Sequence, residues 1–204
     1  MNRDLEFAYE IGAIRLIQRH WHRFHLPTVG DLADHHFRVL WLSLIIAARE
    51  KASVNYERMM KMALVHDIAE SRGGDVDYLS RQYVTRHEEL GIADILADTS
   101  LEEEFLTLWH EYEKRECLES KIVKDADNLD VDLEIREQAS MGSQLAGDWA
   151  ESREAAGRKL YTKTALELQT AIKNSNPHDW HTKSPRNRVN GGDWKDATTK
   201  KENV

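Results

Sequence analysis

Apolar residues recur at helical spacing along most of this 204-residue chain. They predict a first amphipathic helix over residues 4–19, ending near Trp21, and then a loop that contains Pro27 and Gly30. Residues 34–51 include FRVLWLSLIIAA, which is apolar on almost every side of a helix, so we expect this helix at the centre of a core. No stretch shows a clear alternation with the period of two that a strand requires. The pattern therefore predicts an all-α fold.

The remaining helices follow one another closely. A third helix is predicted over residues 56–71, where a pair of glycines ends it. The later helices are predicted over residues 77–98, 101–115, 118–140 and 150–174. From Asn174 onward the apolar periodicity stops and small or polar residues dominate. We therefore expect a single helical domain over residues 1–173 and an irregular tail over residues 174–204.

Composition and charge narrow the classes of partner. A chain of this length with 41% hydrophobic residues can bury one sizeable core. The net charge of -8 argues against non-specific binding to nucleic acid or to anionic membranes, because these partners bind through basic surface patches. The single cysteine, Cys117, allows no intrachain disulfide, and no segment has the pattern of a signal peptide or a membrane span. We expect a soluble cytoplasmic protein.

The sharpest chemical pattern lies at the end of the third predicted helix. His66 and Asp67 are adjacent and can both reach one ion, and Glu70 follows three residues after Asp67. Helical geometry places these three side chains on one face. Beyond the glycine pair, Asp75 can fold back toward the same place, because glycine permits a sharp turn. The ordinary interpretation is a solvated helix end, so the segment needs support from elsewhere in the chain.

Two other segments supply that support. His35 lies in ADHHFRV at the start of the second helix, where a histidine is more often a capping or packing residue than a ligand. Asp127 lies in KDADNLD, beside the apolar stripe of its helix rather than squarely opposite it. This asymmetry favours one acid that faces inward. The stripe comprises Ile122, Val123, Ala126, Leu129 and Leu133.

Taken together, these segments resemble the HD-domain phosphohydrolases, and within them the branch that contains bacterial 5'-deoxynucleotidases. The resemblance spans roughly residues 5–140 and includes ADHHFRV, ALVHDIAES, the glycine-aspartate pair that follows, and LWHEYEKRECLESKIVKDADNLD. In that family the first histidine, the His-Asp pair and the late aspartate bind one divalent metal. The resemblance thus implies a single HD-type domain whose metal ligands are His35, His66, Asp67 and Asp127. It places Glu70 and Asp75 near the attacking water.

The implied ligand set limits which metal ions the site is expected to bind. Two imidazoles and two carboxylates suit zinc, cobalt, manganese, iron or nickel better than calcium. We therefore expect one divalent transition metal per chain, whose identity stays open. Such an ion polarises a phosphoryl group and lowers the pKa of its bound water from about 15.7 toward neutral. Glu70 is the candidate that orients or deprotonates this water, and Asp75 shares that role or handles the leaving-group proton.

Substrate contacts are nominated from a motif that this chain matches only in part. Related nucleotidases carry an Arg-Trp pair whose tryptophan stands fourteen residues before the first metal histidine. Trp21 keeps this spacing to His35, but His20 occupies the arginine position and Arg19 lies one residue earlier. We nominate Arg19 and Trp21, together with Lys124 as a phosphate partner. Their ordinary interpretations are a surface charge, an aromatic at the edge of the core and a solvated helix residue.

The resemblance implies hydrolysis of a nucleoside 5'-monophosphate to nucleoside and phosphate, with a deoxynucleotide as the expected substrate. A first alternative is a nucleoside triphosphate hydrolase on the same scaffold, which further basic residues in the pocket would favour. The pair Arg81 and Arg86 is interpreted as a solvated face rather than as such residues. A second alternative is a metal-binding regulatory module without turnover, against which Glu70 and Asp75 argue. A homodimer or higher homo-oligomer is implied by the family alone.

A third alternative concerns the number of metal ions. Cyclic-nucleotide phosphodiesterases of the wider HD group usually carry more metal-binding histidines than we can place here. Several histidines near His35 in sequence nevertheless leave a second metal open. They are His20, His22, His25 and His36. The base and the sugar of the substrate stay open as well.

Overall fold

The computed structural model describes residues 2–26 and 28–186, so Pro27 of the predicted loop and the last part of the predicted tail lie outside the described residues. Within these ranges the chain contains helices and turns and no β-strand, which confirms the all-α prediction. The α-helices are α1 (Arg3–Gly12), α2 (Leu32–Glu50), α3 (Tyr56–Val65), α4 (Glu70–Gly73), α5 (Glu88–Leu96), α6 (Glu102–Lys114), α7 (Leu118–Ser140), α8 (Leu145–Asp148), α9 (Ala150–Gly157), α10 (Lys163–Asn174) and α11 (Asp179–Thr182).

Helix α7 lies in the middle of the bundle and packs against α2, α3, α6 and α10. Its apolar stripe is fully buried at Ile122, Val123, Ala126 and Leu129. These side chains meet the buried faces of α2 and α3, where the apolar positions again recur at helical spacing. Because Asp127 lies next to this stripe, the packing of α7 directs its side chain toward the start of α2 and the end of α3.

The first predicted helix is shorter than expected. Helix α1 ends at Gly12, and 3₁₀ turns follow at Ala13–Leu16 and His20–Phe24. Between the two turns Ile17 is extended, and its carbonyl accepts a hydrogen bond of 2.9 Å from the backbone N–H of Leu32. This long-range bond replaces a further helical turn. It holds the segment after Ile17 against the start of α2.

The third predicted helix also ends early, and this matters for the chemistry. Helix α3 stops at Val65, and residues 66–69 form tight turns with hydrogen bonds to the third residue back. The Nδ1 atom of His66 lies 2.8 Å from the carbonyl oxygen of Ala63, so this side chain competes with the helical hydrogen bonds at that point. In such turns side chains three residues apart eclipse one another, so Asp67 and Glu70 still share a side. The predicted glycine break is confirmed, since Gly74 has a φ of 75°.

Helix α2 does not run through the centre of the core as predicted. One side carries Val39, Leu42 and Ile46, which are buried. The opposite side is open to solvent and exposes Phe37 at 65%, Trp41 at 55% and Ile45 at 43%. The prediction that these apolar residues belong to the core is therefore wrong.

The last predicted helix is divided in two. Asp125 of α7 is fully buried and accepts hydrogen bonds from the backbone N–H groups of Tyr161 (2.9 Å) and Thr162 (2.8 Å). Thr162 then caps α10. The carboxylate thus fixes the connection between α9 and α10 against α7. Because this contact is made by a polar side chain, the apolar pattern of the sequence does not predict the break between the two helices.

The described part of the predicted tail keeps some contact with the body. The Nε atom of Arg136 donates to the carbonyl of Ser175 at 2.7 Å, and Ser184 is buried. The domain boundary at residue 173 stays a prediction. In the described part of the chain, no helix combines the length and apolarity needed to cross a membrane.

Candidate active site

Four residues from three elements converge at one point. His35 lies in the first turn of α2, His66 and Asp67 directly follow α3, and Asp127 lies in the middle of α7. One potential ligand atom from each lies within 4.8 Å of those of the other three. The structure therefore brings together the whole predicted ligand set. Both histidines are buried, and the two carboxylates are partly open to a cavity.

Each of the two imidazole rings is held in place through its Nδ1 atom. The Nδ1 atom of His35 lies 2.6 Å from Oδ2 of Asp130, and Nδ1 of His66 lies 2.8 Å from the carbonyl oxygen of Ala63. Each Nδ1 therefore faces an acceptor to which it donates. This leaves the Nε2 lone pair of each ring for a cation. Asp130 was not predicted as a site residue, although it follows Asp127 by one helical turn.

The spacing of the donor atoms fits a metal ion. The two Nε2 atoms lie 3.3 Å apart, and Oδ2 of Asp67 lies 3.4 Å from Nε2 of His35 and 3.3 Å from Nε2 of His66. Oδ1 of Asp127 lies 3.4 Å from Nε2 of His35. Ligands about 2.1 Å from one ion in a tetrahedral arrangement are about 3.4 Å apart. Burial lowers the pKa of His66, which favours the neutral form that binds metals.

Glu70 lies beside this cluster in a buried position. Burial, together with the charges of Asp67 and Asp75, raises its pKa to about 9. Its Oε1 atom lies 3.7 Å from a terminal nitrogen of Arg86, whereas its Oε2 atom is buried without a hydrogen-bond partner among the described residues. The interpretation of Arg86 as part of a solvated face is therefore wrong, because the chain after Asp75 folds back over the site.

Arg19 and Asp75 form a buried ion pair at the same cavity. Arg19 is only 5% exposed, and its Nε atom lies 3.1 Å from Oδ2 of Asp75. The backbone N–H of His20 donates to the same oxygen at 3.1 Å. The ordinary interpretation of Arg19 as a surface charge is thus wrong. Asp75 does fold back toward the His-Asp pair, as predicted.

Asp77 is a further buried acid that sequence reasoning missed. It accepts hydrogen bonds from the backbone N–H groups of Leu79 (2.8 Å) and Ser80 (3.0 Å) and lies 3.2 Å from a guanidinium nitrogen of Arg23. Burial raises the pKa of Asp77, but these hydrogen bonds outweigh it and bring the pKa down to about 2. Asp77 therefore fixes the loop that carries Tyr78 to the cavity.

The cavity beside the cluster has a volume of about 290 Å³ and is strongly polar. Seven acidic residues line it, namely Asp67, Glu70, Asp75, Asp77, Glu88, Glu113 and Asp127. Six cationic residues balance them, namely Arg19, Arg81, Arg86, Arg115, Lys124 and Arg153. A larger groove of about 590 Å³ runs between α3 and α6, but its lysine and arginine pair with its own glutamates. The smaller cavity, which adjoins the His-Asp cluster, is therefore the candidate active site.

Lys124 lies on α7 one turn before Asp127. Its Nζ atom donates to Oδ2 of Asp127 at 2.6 Å. The charge of Asp127 raises the pKa of Lys124, so the amine stays protonated. The nominated phosphate partner is thus in the cavity but is already paired with a candidate metal ligand.

Aromatic side chains line part of the cavity and support its wall. Trp21 lines the cavity, and its ring centroid lies 5.3 Å from that of Trp149, which precedes α9. Phe24 stacks on Tyr78 at 5.6 Å and meets Trp149 edge-on at 5.8 Å. The indole N–H of Trp21 is buried and has no acceptor among the described residues. Trp149 had no signal in the sequence, because it lies far from the motifs along the chain.

Comparisons with known proteins agree with this arrangement. The family model described as HD domain matches residues 11–171. The curated 5'-deoxynucleotidase HDDC2 of Danio rerio is 34% identical over 143 residues, which cover 67% of this chain and 70% of the relative. The protein of the same name from Dictyostelium discoideum is 29% identical over 187 residues, covering 83% of this chain and 98% of the relative.

A solved structure adds a likeness in fold. It is titled as a predicted metal-dependent phosphohydrolase from Magnetospirillum magnetotacticum, and it superposes with a TM-score of 0.69 at 20% identity. The match covers 84% of this chain and 90% of that chain. The agreement therefore extends over the helices that carry the cluster.

Proposed function

Because this chain belongs to the HD domain family, we propose that it is a metal-dependent phosphohydrolase that converts deoxynucleoside 5'-monophosphates to deoxynucleosides and phosphate. The observation that carries the proposal is the convergence of two Nε2 atoms and two carboxylates beside the buried Glu70. The substrate class is supported by relatives named 5'-deoxynucleotidase. The volume of the cavity, about 290 Å³, lies at the low end of ligand pockets and favours a small substrate.

In this proposal His35, His66, Asp67 and Asp127 hold one divalent transition metal. When bound, the ion supplies Lewis-acid polarisation of the phosphoryl group and lowers the pKa of the attacking water. The orientation of both imidazoles supports these assignments, because each Nδ1 is already engaged by an acceptor. The nature of the metal stays open among zinc, cobalt, manganese, iron and nickel.

Glu70 is proposed to orient the attacking water and to accept its proton. Its Oε2 atom is the available acceptor, since no described residue donates to it. A cation held by Asp67 would offset the charge of that carboxylate and would lower the pKa of Glu70 from its raised value. A pKa nearer to neutral suits a general base. Asp75 is proposed as the second catalytic carboxylate, which shares the proton transfer and holds Arg19 in place.

The substrate is proposed to lie between the cationic and aromatic parts of the wall. Arg19 and Lys124 contact phosphate oxygens, since charge-assisted hydrogen bonds to phosphate are strong. Trp21 packs against the sugar and offers its indole N–H as a donor. The predicted homodimer or higher homo-oligomer stays a prediction that a measurement of molar mass in solution would test.

A second candidate is hydrolysis of nucleoside triphosphates. The six cationic side chains at the cavity favour it, because each added phosphate brings further negative charge. Seven acids offset those cations, and the small volume argues for one phosphate. The monophosphate is therefore the preferred substrate of the two.

A phosphate-release screen separates these functions. Metal-loaded protein is incubated with ribo- and deoxynucleoside mono-, di- and triphosphates in the presence of each of the five metals. We expect orthophosphate from deoxynucleoside 5'-monophosphates and none from protein treated with a chelator. Release of triphosphate or pyrophosphate from triphosphates would favour the second candidate. Complete inactivity of metal-occupied protein toward all these substrates would favour the alternative of a metal-binding regulatory module without turnover.

A further inference from the structure

Arg115 follows the last residue of α6 and reaches the cavity from the side of Tyr112. Its guanidinium carbon lies 3.3 Å from the ring centroid of Tyr112. Tyr112 is buried, and its ring meets that of His66 edge-on at 5.8 Å. The guanidinium is thus stacked on the wall that supports the candidate metal cluster. Stacking occupies its face and leaves its in-plane N–H groups for hydrogen bonds.

The donors of Arg115 are only partly used. One terminal nitrogen donates to Oε1 of Glu113 at 3.3 Å, and the side chain of Glu113 is 43% exposed. An ion pair with such an exposed partner is weak and exchanges readily. The other terminal nitrogen is buried and has no acceptor among the described residues. A buried donor without an acceptor is unfavourable, so this nitrogen is suited to an incoming anion.

Arg115 and Lys124 line one cavity from two different places, the residue that follows α6 and the first half of α7. Lys124 is bound to Asp127, whereas the side chain of Arg115 has, among the described residues, only its exposed hydrogen-bond partner Glu113. Arg115 is therefore the less engaged of these two cations. Its planar fork also matches two oxygens of one phosphate, which a lysine cannot do.

The geometry points to Arg115 as a further substrate-binding residue, which contacts the 5'-phosphate of the substrate beside the candidate metal cluster. The identity of the substrate rests on the proposed function, but binding of a phosphate group does not. Arg115 has a φ of 55°, a backbone conformation in which glycine is favoured at the end of a helix.

The test uses metal-loaded full-length protein and titration calorimetry with inorganic phosphate. Arg115→Met removes the charge and the fork but keeps a flexible apolar side chain. Arg115→Gly removes the whole side chain and suits the left-handed backbone, so it guards against a folding defect. Lys114→Met is the matched control, because it removes one positive charge from the neighbouring, exposed position that does not line the cavity.

We expect phosphate affinity to fall about 10- to 100-fold in both Arg115 variants, since a hydrogen bond to a charged group is lost. Phosphate affinity should stay unchanged in Lys114→Met, and all proteins should keep their metal content and a cooperative thermal transition. Wild-type phosphate affinity in folded, metal-loaded Arg115 variants would overturn the inference.

Parallel assays with a deoxynucleoside 5'-monophosphate separate this inference from the proposed function. A rise in KM with little change in kcat supports a binding role of Arg115. If neither Arg115 variant changes hydrolysis, the inference about Arg115 is wrong, whereas the proposed function is supported. Weakened phosphate binding in a protein that hydrolyses no nucleotide would support the phosphate site and reject the proposed function.

Discussion

Asp130 holds His35 in place through a hydrogen bond of 2.6 Å between Oδ2 and Nδ1. Its other carboxylate oxygen lies 3.2 Å from Nε of Arg38, so the acid is itself fixed. Such partners of a metal-binding histidine set the orientation of its ring. Loss of the partner typically weakens metal binding 10- to 100-fold. Asp130 is thus the clearest support for His35 as a ligand.

The variant Asp130→Ala should therefore lower the affinity for a divalent metal by about 10- to 100-fold. Titration with zinc in a competitive chelator buffer measures this change. Asp148→Ala, which removes an exposed acid from α8, is the control and should bind as the wild type does. Equal affinities in all three proteins would show that His35 needs no such support or is not a ligand.

Removal of a proposed ligand should have a stronger effect. His66→Ala or Asp67→Ala should lose the metal that purified wild-type protein holds at about one ion per chain, because ligands bind cooperatively around one ion. Elemental analysis measures the content. His110→Ala removes an exposed histidine of α6 and should keep full occupancy. Full occupancy in both ligand variants would end the proposed metal site.

The aromatic wall yields a prediction about substrate binding. Trp149 contacts Trp21 and Phe24 at centroid distances of 5.3 and 5.8 Å, so Trp149→Ala removes the support of Trp21. Aromatic pairs contribute about 0.5–1.5 kcal/mol each beyond their burial. We expect KM for a deoxynucleoside monophosphate to rise several-fold with kcat less affected. Trp41→Ala on the exposed side of α2 is the control. An unchanged KM would mean that Trp21 needs no partner.

Truncation after Lys173 tests the predicted domain boundary. The deletion removes the hydrogen bond from Arg136 to Ser175 and the buried Ser184, a loss of about 1–2 kcal/mol. Metal binding and a cooperative unfolding transition should remain, as shown by metal content and by circular dichroism during heating. Loss of both would place the segment after Lys173 within the folding unit.

Much of the fold was predictable from the apolar pattern, and its errors have local causes. The bounds of α7 were predicted well because one stripe of the helix is buried along most of its length. Helix α1 was overestimated because the carbonyl of Ile17 bonds to Leu32, a contact that no helical period reveals. The exposed side of α2 was misread because composition alone does not show which apolar face is covered.

The candidate site divides in the same way. His66, Asp67 and Glu70 are close in sequence, so spacing alone could group them. His35 and Asp127 are about 90 residues apart in the sequence, so only the family resemblance grouped these two residues with His66, Asp67 and Glu70. Asp130 could have been found as an acid one turn after Asp127. Trp149 and Arg115 depend on tertiary packing, which no local pattern encodes.

Glu70 separates metal binding from chemistry. It shares the site with Asp67 but is not among the four atoms that converge on one point, so Glu70→Gln should spare the metal. Glutamine keeps the size and hydrogen-bonding capacity of the side chain and removes its basicity. If Glu70 accepts the proton of the attacking water, kcat should fall by roughly 100-fold or more, with a smaller change in KM.

Steady-state kinetics on variants with verified metal content measures this effect. Glu89→Gln, an exposed residue of α5, is the control for the loss of one negative charge and should turn over as the wild type does. The buried Oε2 atom of Glu70 has no donor among the described residues, so a structural role predicts little change in either constant. Wild-type turnover in metal-replete Glu70→Gln would therefore remove Glu70 from the mechanism and move the role of base to Asp75, whose carboxylate is held at the cavity by Arg19 and the backbone N–H of His20.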